Sequence, residues 1–116
     1  MGRLSWFEPG WSMYWTALLA AGVFEVAWAL GLKYTDQFTR VWPTLWTLAA
    51  MAASVFLLMV SLKELPLGTA YAIWTGIGAV GTALVGMVLF GEPAEPLRLA
   101  CVAVIVAGMV GLKLAS

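Results

Sequence analysis

The segment MYWTALLAAGVFEVAWALGL (residues 13–32) contains one carboxylate, Glu25, in an otherwise uncharged and mostly apolar stretch. A run of about 20 such residues is long enough to cross the hydrocarbon core of a bilayer as a helix. Retaining a charged side chain near the centre of such a helix costs about 2.5–3.5 kcal/mol or more. We therefore interpret Glu25 as a functional residue; the alternative is a neutral carboxyl that only hydrogen-bonds a neighbouring helix.

Three further apolar runs follow the first, at about residues 42–62, 67–90 and 97–115. Each has a proline near its start, where the missing N–H costs least, and short polar connections join them. The chain is 63% hydrophobic and 10% charged, whereas soluble domains carry about 25% charged residues. The sequence therefore predicts an all-α membrane protein with four transmembrane helices in residues 13–116. Residues 1–12 are expected to form an N-terminal extension outside the membrane, and Met13 is an alternative start.

Composition also excludes several function classes. The formal net charge is +0, so no basic patch for nucleic acid is expected. With one cysteine, Cys101, and no histidine, neither an intrachain disulfide nor a Cys/His metal site can form. The sequence contains no nucleophile–base pair and no phosphate-binding loop. We expect no enzyme activity, no cofactor and no metal.

Basic residues are divided equally between the two sides of the predicted helices. One side has Arg3, Lys63 and Lys113, and the other has Lys33, Arg40 and Arg98. Because the Lys/Arg bias of short loops sets membrane orientation, two interpretations stay open. Either a weaker feature sets the orientation, or both orientations occur.

The two halves of the chain show no convincing internal symmetry, although many transporters obtain two-sided access from inverted repeats. Pairing with an inverted copy would supply the same symmetry. Ala103, Ala107 and Gly111 recur every four residues on the last helix, and small residues at this spacing let helix backbones approach closely. This stripe is the predicted dimer interface.

Three predicted helices carry polar or aromatic stripes. Gly22, Glu25 and Trp28 share one face of the first helix, and small residues there leave space beside the carboxyl. On the third helix Tyr71 and Trp74 share a face, and the second helix brings Ser54 with Thr47 and Ser61 at a spacing of seven. Facing inward, these stripes would line one pocket.

Each stripe also has a simpler interpretation. Tyr71 and Trp74 lie close to the start of their run and are equally typical of an aromatic belt at the membrane interface. Ser54 and Thr47 are equally able to hydrogen-bond their own helix.

Burial penalises the charged form of a carboxyl, so a group such as Glu25 can hold a proton or a cation, but not both well. Aromatic faces favour cations further. Two ligands that compete for one carboxyl are what proton-coupled exchange of a cation requires.

The motifs FEVAWALGLKY (residues 24–34) and GTAYAIWTGIGA (residues 68–79) resemble those of the small multidrug resistance family, and most closely its guanidinium-exporter branch. The resemblance extends over the whole chain from about Met13. It implies an antiparallel, dual-topology homodimer, embedded as a multi-pass protein in the bacterial inner membrane, which exchanges protons for guanidinium-type cations. One departure is Gln37, which stands before Phe38 where a glycine is expected.

The resemblance also implies roles for individual residues. Glu25 of each copy resembles the carboxylate shared by protons and substrate, and Gly22 provides room beside it. Ser54 and Trp74 look like the polar partners that hold this carboxylate. Tyr71 resembles a switch residue that crosses between subunits, and Trp28 resembles a wall of the binding site.

Two other functions stay open. One is a multidrug exporter of quaternary ammonium or aromatic cations, in which the same acid would be more open and less hydrogen-bonded. The other is a membrane subunit that transports nothing and uses its stripes only for helix packing.

Overall fold

The computed structural model describes residues 9–115, with side chains from residue 13 onward. In this part of the chain the elements are α1 (Pro9–Tyr34), α2 (Val41–Ser61), α3 (Leu67–Leu89) and α4 (Pro96–Ala115). Each helix is long and apolar enough to cross a membrane. The predicted four-span, all-α fold is therefore confirmed, with helix ends within two residues of those expected except at the start of α1.

The described part of helix α1 starts at Pro9, so residues 9–12 of the expected N-terminal extension are helical and continuous with the first span. The rest of the predicted N-terminal extension, residues 1–8, lies outside the described residues, as does residue 116. Proline sets the start of two other helices. Pro66 is the N-cap of α3, with φ −60° and ψ 141°, and Pro96 is the first residue of α4.

The core lies in one half of the helix bundle. Helix α1 packs along both α2 and α3, and α4 packs on α3. The start of α1, the end of α2 and the start of α3 meet in an apolar cluster formed by Trp15, Leu18, Ala21, Leu58, Leu65, Ala70 and Ile73. The described length of α4, Pro96–Ala115, contributes no buried residue.

The connection between α1 and α2 turns through three consecutive left-handed residues. Asp36, Gln37 and Phe38 have φ of 49°, 60° and 68°, a region that residues with a side chain rarely adopt. The Thr35 carbonyl accepts hydrogen bonds from the backbone N–H groups of Thr39 (3.0 Å) and Arg40 (3.1 Å). The Thr35 hydroxyl is buried and donates to the Leu32 carbonyl at 2.9 Å.

The connection between α3 and α4 is held by an ion pair. Gly91 has φ 68°, which suits a residue without a side chain. Beyond it Glu92 accepts a hydrogen bond from Arg98 at 2.6 Å. A Cβ on Gly86 would meet the Glu92 carboxylate at 2.5 Å, so the acidic side chain folds back against the end of α3 while it pairs with Arg98 of α4.

Candidate functional site

The carboxylate of Glu25 lies in the contact between α1 and α3. Its side chain is half-buried, and it packs against Gly78, where an added Cβ would collide with the carboxylate. Gly78 has no side chain, and this leaves the space that the carboxylate fills. Gly78 thus lies beside the carboxylate, on the face of α3 that its spacing of four places with Trp74.

Gly22 lies against α3 one helical turn before Glu25. An added Cβ on Gly22 would meet Cγ2 of Ile77 at 2.6 Å, so within the single chain Ile77 packs against Gly22. The residue that makes room for the carboxylate is on the facing helix. The physical reason is the register of α1 against α3, which brings Ile77 opposite Gly22 and Gly78 opposite Glu25.

A chain of hydrogen bonds links the three packed helices at Ser54. The Ser54 hydroxyl donates to the backbone carbonyl of Ala21 at 2.6 Å, and it accepts from Nε1 of Trp74 at 2.9 Å. Ser54 is fully buried. Ser54 and Trp74 do not donate the expected hydrogen bonds to Glu25 in this arrangement, because the hydroxyl and the indole N–H each have one proton and donate it to another group.

Two buried polar atoms near the site have no hydrogen-bond partner among the described residues. They are Oε2 of Glu25, an acceptor, and Nε1 of Trp28, a donor one helical turn further along α1. An unpaired buried polar atom costs roughly 1–3 kcal/mol. A proton or an N–H-bearing cation at Glu25 would satisfy the carboxylate oxygen.

Tyr71 lies at the edge of this group and not inside it. Its side chain is 54% exposed, and its ring packs on that of Trp74 with centroids 5.5 Å apart and an interplanar angle of 55°. The aromatic pair therefore extends the site from the Ser54 hydroxyl to the outer surface of the single chain.

The small-residue stripe on α4 faces away from the bundle. Ala103, Ala107 and Gly111 are all exposed, and an added Cβ on Gly111 or Gly108 would meet no described atom within 4 Å. This surface can accept another helix at close range. In the part of the chain that the structure describes, helix α4 itself packs on α3 and makes no comparable contact with α1 or α2.

The site offers one acid, two indole N–H groups and hydroxyls. Within residues 9–115, no three His, Cys, Asp or Glu side chains come close enough together to hold a metal ion. The chemistry available at Glu25 is reversible protonation and pairing with a cation. Aromatic faces beside the carboxyl add attraction for a cation.

Comparisons with known proteins agree with these features. The family model described as Small Multidrug Resistance protein matches residues 13–105. A guanidinium exporter from Yersinia pseudotuberculosis is 59% identical over 104 residues, which is 90% of this chain and the whole of the relative. Guanidinium exporters from Escherichia coli (56% identical) and Salmonella typhimurium (55%) match over 90% of this chain and 99% of their own lengths.

Proposed function

Because this chain belongs to the small multidrug resistance family, we propose that it exports guanidinium or a small substituted guanidinium in exchange for protons. Its four spans and its bacterial relatives make it a multi-pass protein of the bacterial inner membrane. The relatives named guanidinium exporters, at 55–59% identity, support this substrate class. The observation that carries the mechanism is the buried, unpartnered Oε2 of Glu25.

The proposed exchange follows from the competition of two ligands for one carboxylate. In its charged form Glu25 pairs with the cation, and in its protonated form it has no charge with which to do so. Proton entry from one side therefore releases the cation, and cation entry from the other side releases the proton. Trp28 would form a wall of this site, and its unpaired Nε1 is a donor for the carboxylate or for a bound water.

Guanidinium suits this site because it is planar and carries N–H donors that can pair bidentately with a carboxylate. A quaternary ammonium has no donor and relies on charge and on aromatic faces. It would leave the carboxylate oxygen of Glu25 without a hydrogen bond, at roughly 1–3 kcal/mol. We therefore expect about tenfold or greater preference for guanidinium.

One observation favours the second candidate, export of quaternary or aromatic cations. Trp74 donates to the Ser54 hydroxyl, and that hydroxyl donates to the Ala21 carbonyl, so neither group holds the Glu25 carboxylate as expected for a guanidinium site. An acid without fixed partners can accept a bulkier cation. The 55–59% identity to relatives named guanidinium exporters outweighs this observation, because it extends over the whole transporter length.

We further propose that two copies assemble in antiparallel orientation. The exposed α4 stripe of Ala103, Ala107 and Gly111 provides a close-packing helix surface. The equal division of basic residues between the two sides is compatible with insertion both ways. In such a pair both Glu25 carboxyls would serve one site. Tyr71, which is exposed in the single chain, would be available to the other copy as the switch between the two open states.

The test is transport by the purified protein in liposomes under a proton gradient. We expect currents on supported membranes for guanidinium and methylguanidinium that reverse with the gradient, and weak currents for tetrapropylammonium. Strong tetrapropylammonium currents without guanidinium currents would contradict guanidinium export and favour export of quaternary or aromatic cations. If none of these cations moves in response to the proton gradient, the protein is better described as a membrane subunit that transports nothing.

A further inference from the structure

An apolar groove lies between α1, α3 and α4, and Glu25 is not among the residues that line it. It has a volume of about 160 Å³. Its walls are apolar and include Trp15 and Leu19 of α1, Ile73 and Ile77 of α3, and Met109 of α4. None of these side chains is a group that the proposed exchange of cation and proton at Glu25 uses.

The lining of this apolar groove includes one charged residue among those described, Lys113. Lys113, in the last turn of α4, is part of the lining, and its ammonium lies 5.3 Å from the ring centroid of Trp15. The start of α1, the start of α3 and the end of α4 are on the same side of the membrane. The groove therefore runs from the apolar interior towards that interface, and its charge is at the interfacial end.

Two of the three α4 residues that line this groove lie away from the small-residue stripe. Met109 and Lys113 follow Ala107 and Gly111 of the stripe by two positions each, and residues two apart in an α-helix point to nearly opposite sides. The third, Val110, follows Ala107 by three positions and lies on the edge of the groove nearer the stripe. A helix packed on the stripe therefore contacts the side of α4 opposite Met109 and Lys113.

We propose that the groove between α1, α3 and α4 binds one acyl chain of an anionic phospholipid whose phosphate pairs with Lys113. The apolar walls match a hydrocarbon chain. Among the described lining residues Lys113 is the one cation. Its ammonium matches the phosphate of a headgroup at the same depth, because an ammonium can donate several N–H hydrogen bonds. The Trp15 ring holds the ammonium in position by a cation–π contact.

The first experiment measures lipid binding to the purified full-length chain by native mass spectrometry from a neutral detergent. Phosphatidylglycerol is compared with phosphatidylcholine of the same acyl chains. A basic residue near an anionic surface contributes enough to predict about fivefold tighter binding of phosphatidylglycerol. Lys113→Gln should abolish this preference and Lys113→Arg should keep it. Lys63→Gln, at an exposed lysine in the turn on the same side, should also keep it.

The second experiment tests the groove itself. Val110→Phe adds bulk to a lining residue and should weaken binding of both phospholipids. Val88→Phe, at an exposed position near the other end of α3, should weaken neither. Inorganic phosphate should not displace phosphatidylglycerol.

Three results would overturn the proposal. A preference for phosphatidylglycerol that survives Lys113→Gln, or that Lys63→Gln abolishes equally, would show that Lys113 is not the headgroup site. Displacement by inorganic phosphate alone would show that the acyl chain does not contribute. Equal effects of Val110→Phe and Val88→Phe would show that the lipid binds elsewhere. Lipid binding is measured without transport, so these results are independent of the proposed exchange at Glu25.

Discussion

Trp74 donates its indole N–H to the hydroxyl of Ser54 at 2.9 Å, and that hydroxyl donates in turn to the Ala21 carbonyl at 2.6 Å. One serine thus joins α3 to α1 through α2. A buried hydrogen-bonded pair of this kind restrains helix rotation, because any rotation that separates the two groups leaves both unpaired in an apolar medium. Glu25 is one helical turn beyond Ala21, so the same link restrains the backbone of α1 beside Glu25, while the carboxylate oxygen Oε2 itself has no hydrogen-bond partner among the described residues.

The first prediction is that Ser54→Ala destabilises the fold by about 1–3 kcal/mol, because it leaves the indole N–H of Trp74 buried and unpaired. The measurement is denaturant unfolding in detergent. Trp74→Phe should cost less when Ser54 is already alanine, which a double-mutant cycle would detect as a coupling of about 0.5–3 kcal/mol.

Ser61→Ala is the matched control for Ser54→Ala. Ser61 is equally buried, but its hydroxyl donates at 2.7 Å to the Leu58 carbonyl of its own helix, and that carbonyl also accepts the Leu62 N–H at 3.1 Å. Removing this hydroxyl leaves no buried donor unpaired. Equal destabilisation by the two substitutions would mean that the link between helices contributes nothing of its own.

The second prediction concerns the space for the carboxylate. A Cβ on Gly78 would collide with Glu25, so Gly78→Ala should reduce guanidinium transport by about tenfold or more, the effect expected from a typical overpacking cost of ~1–3 kcal/mol. Gly68→Ala is the control on the same helix, because a Cβ there meets no described atom within 4 Å. Equal transport by both variants would place the carboxylate elsewhere during export.

The third prediction assigns the coupling to Glu25. Glu25→Gln keeps the shape of the side chain but cannot release a proton, so it should abolish proton-driven transport while the protein still folds and assembles. In the native chain, guanidinium binding should weaken as the pH falls, since protons compete for the carboxylate. In the glutamine variant any residual binding should no longer depend on pH.

Glu95→Gln makes the same chemical change in the exposed connection before α4 and should leave both transport and its pH dependence unchanged. Binding is measured by isothermal titration across pH, and transport by supported-membrane currents. Native-rate proton-driven transport by Glu25→Gln would remove Glu25 from the mechanism.

The fourth prediction tests assembly of oppositely inserted copies. Two lysines added to the 63–66 turn should bias insertion to one orientation, and transport should be lost. Two glutamines added at the same place are the control, because they lengthen the turn without a charge bias. Coexpression with a variant that carries two extra lysines in the 91–95 connection should restore transport.

Orientation in this experiment is measured with a single cysteine in the 91–95 connection, in a Cys101→Ala background, and a reagent that does not cross the membrane. A lysine variant that is inserted entirely one way and still transports at the native rate would contradict the antiparallel pair.

The helices and the buried polar face of α2 could be predicted from the sequence. The lengths of the apolar runs, with Pro66 and Pro96, gave the bounds of the helices within two residues except at the start of α1. The spacing of seven among Thr47, Ser54 and Ser61 placed them on one face, and all three are fully buried.

The partners of those residues could not be predicted in the same way. Periodicity shows which residues share a helix face. It shows neither which neighbouring helix that face contacts nor the register of the two helices along their axes. A shift of one turn between α1 and α3 would change the partners of both Gly22 and Glu25. The contacts of Gly22 with Ile77 and of Ser54 with the Ala21 carbonyl therefore required the structure.

The last prediction concerns the connection between α1 and α2, where Gln37 stands at the position at which a glycine was expected. Its φ is 60°. The left-handed region raises the conformational free energy of a residue with a Cβ by roughly 1–2 kcal/mol, whereas glycine adopts it without this cost. Gln37→Gly should therefore raise the free energy of unfolding by about 1 kcal/mol, after the greater chain entropy of glycine is subtracted. Gln37→Ala keeps the Cβ and should bring no such gain. The measurement is thermal unfolding of the two variants in the same detergent, and a gain with alanine equal to that with glycine would show that the left-handed backbone is not the source.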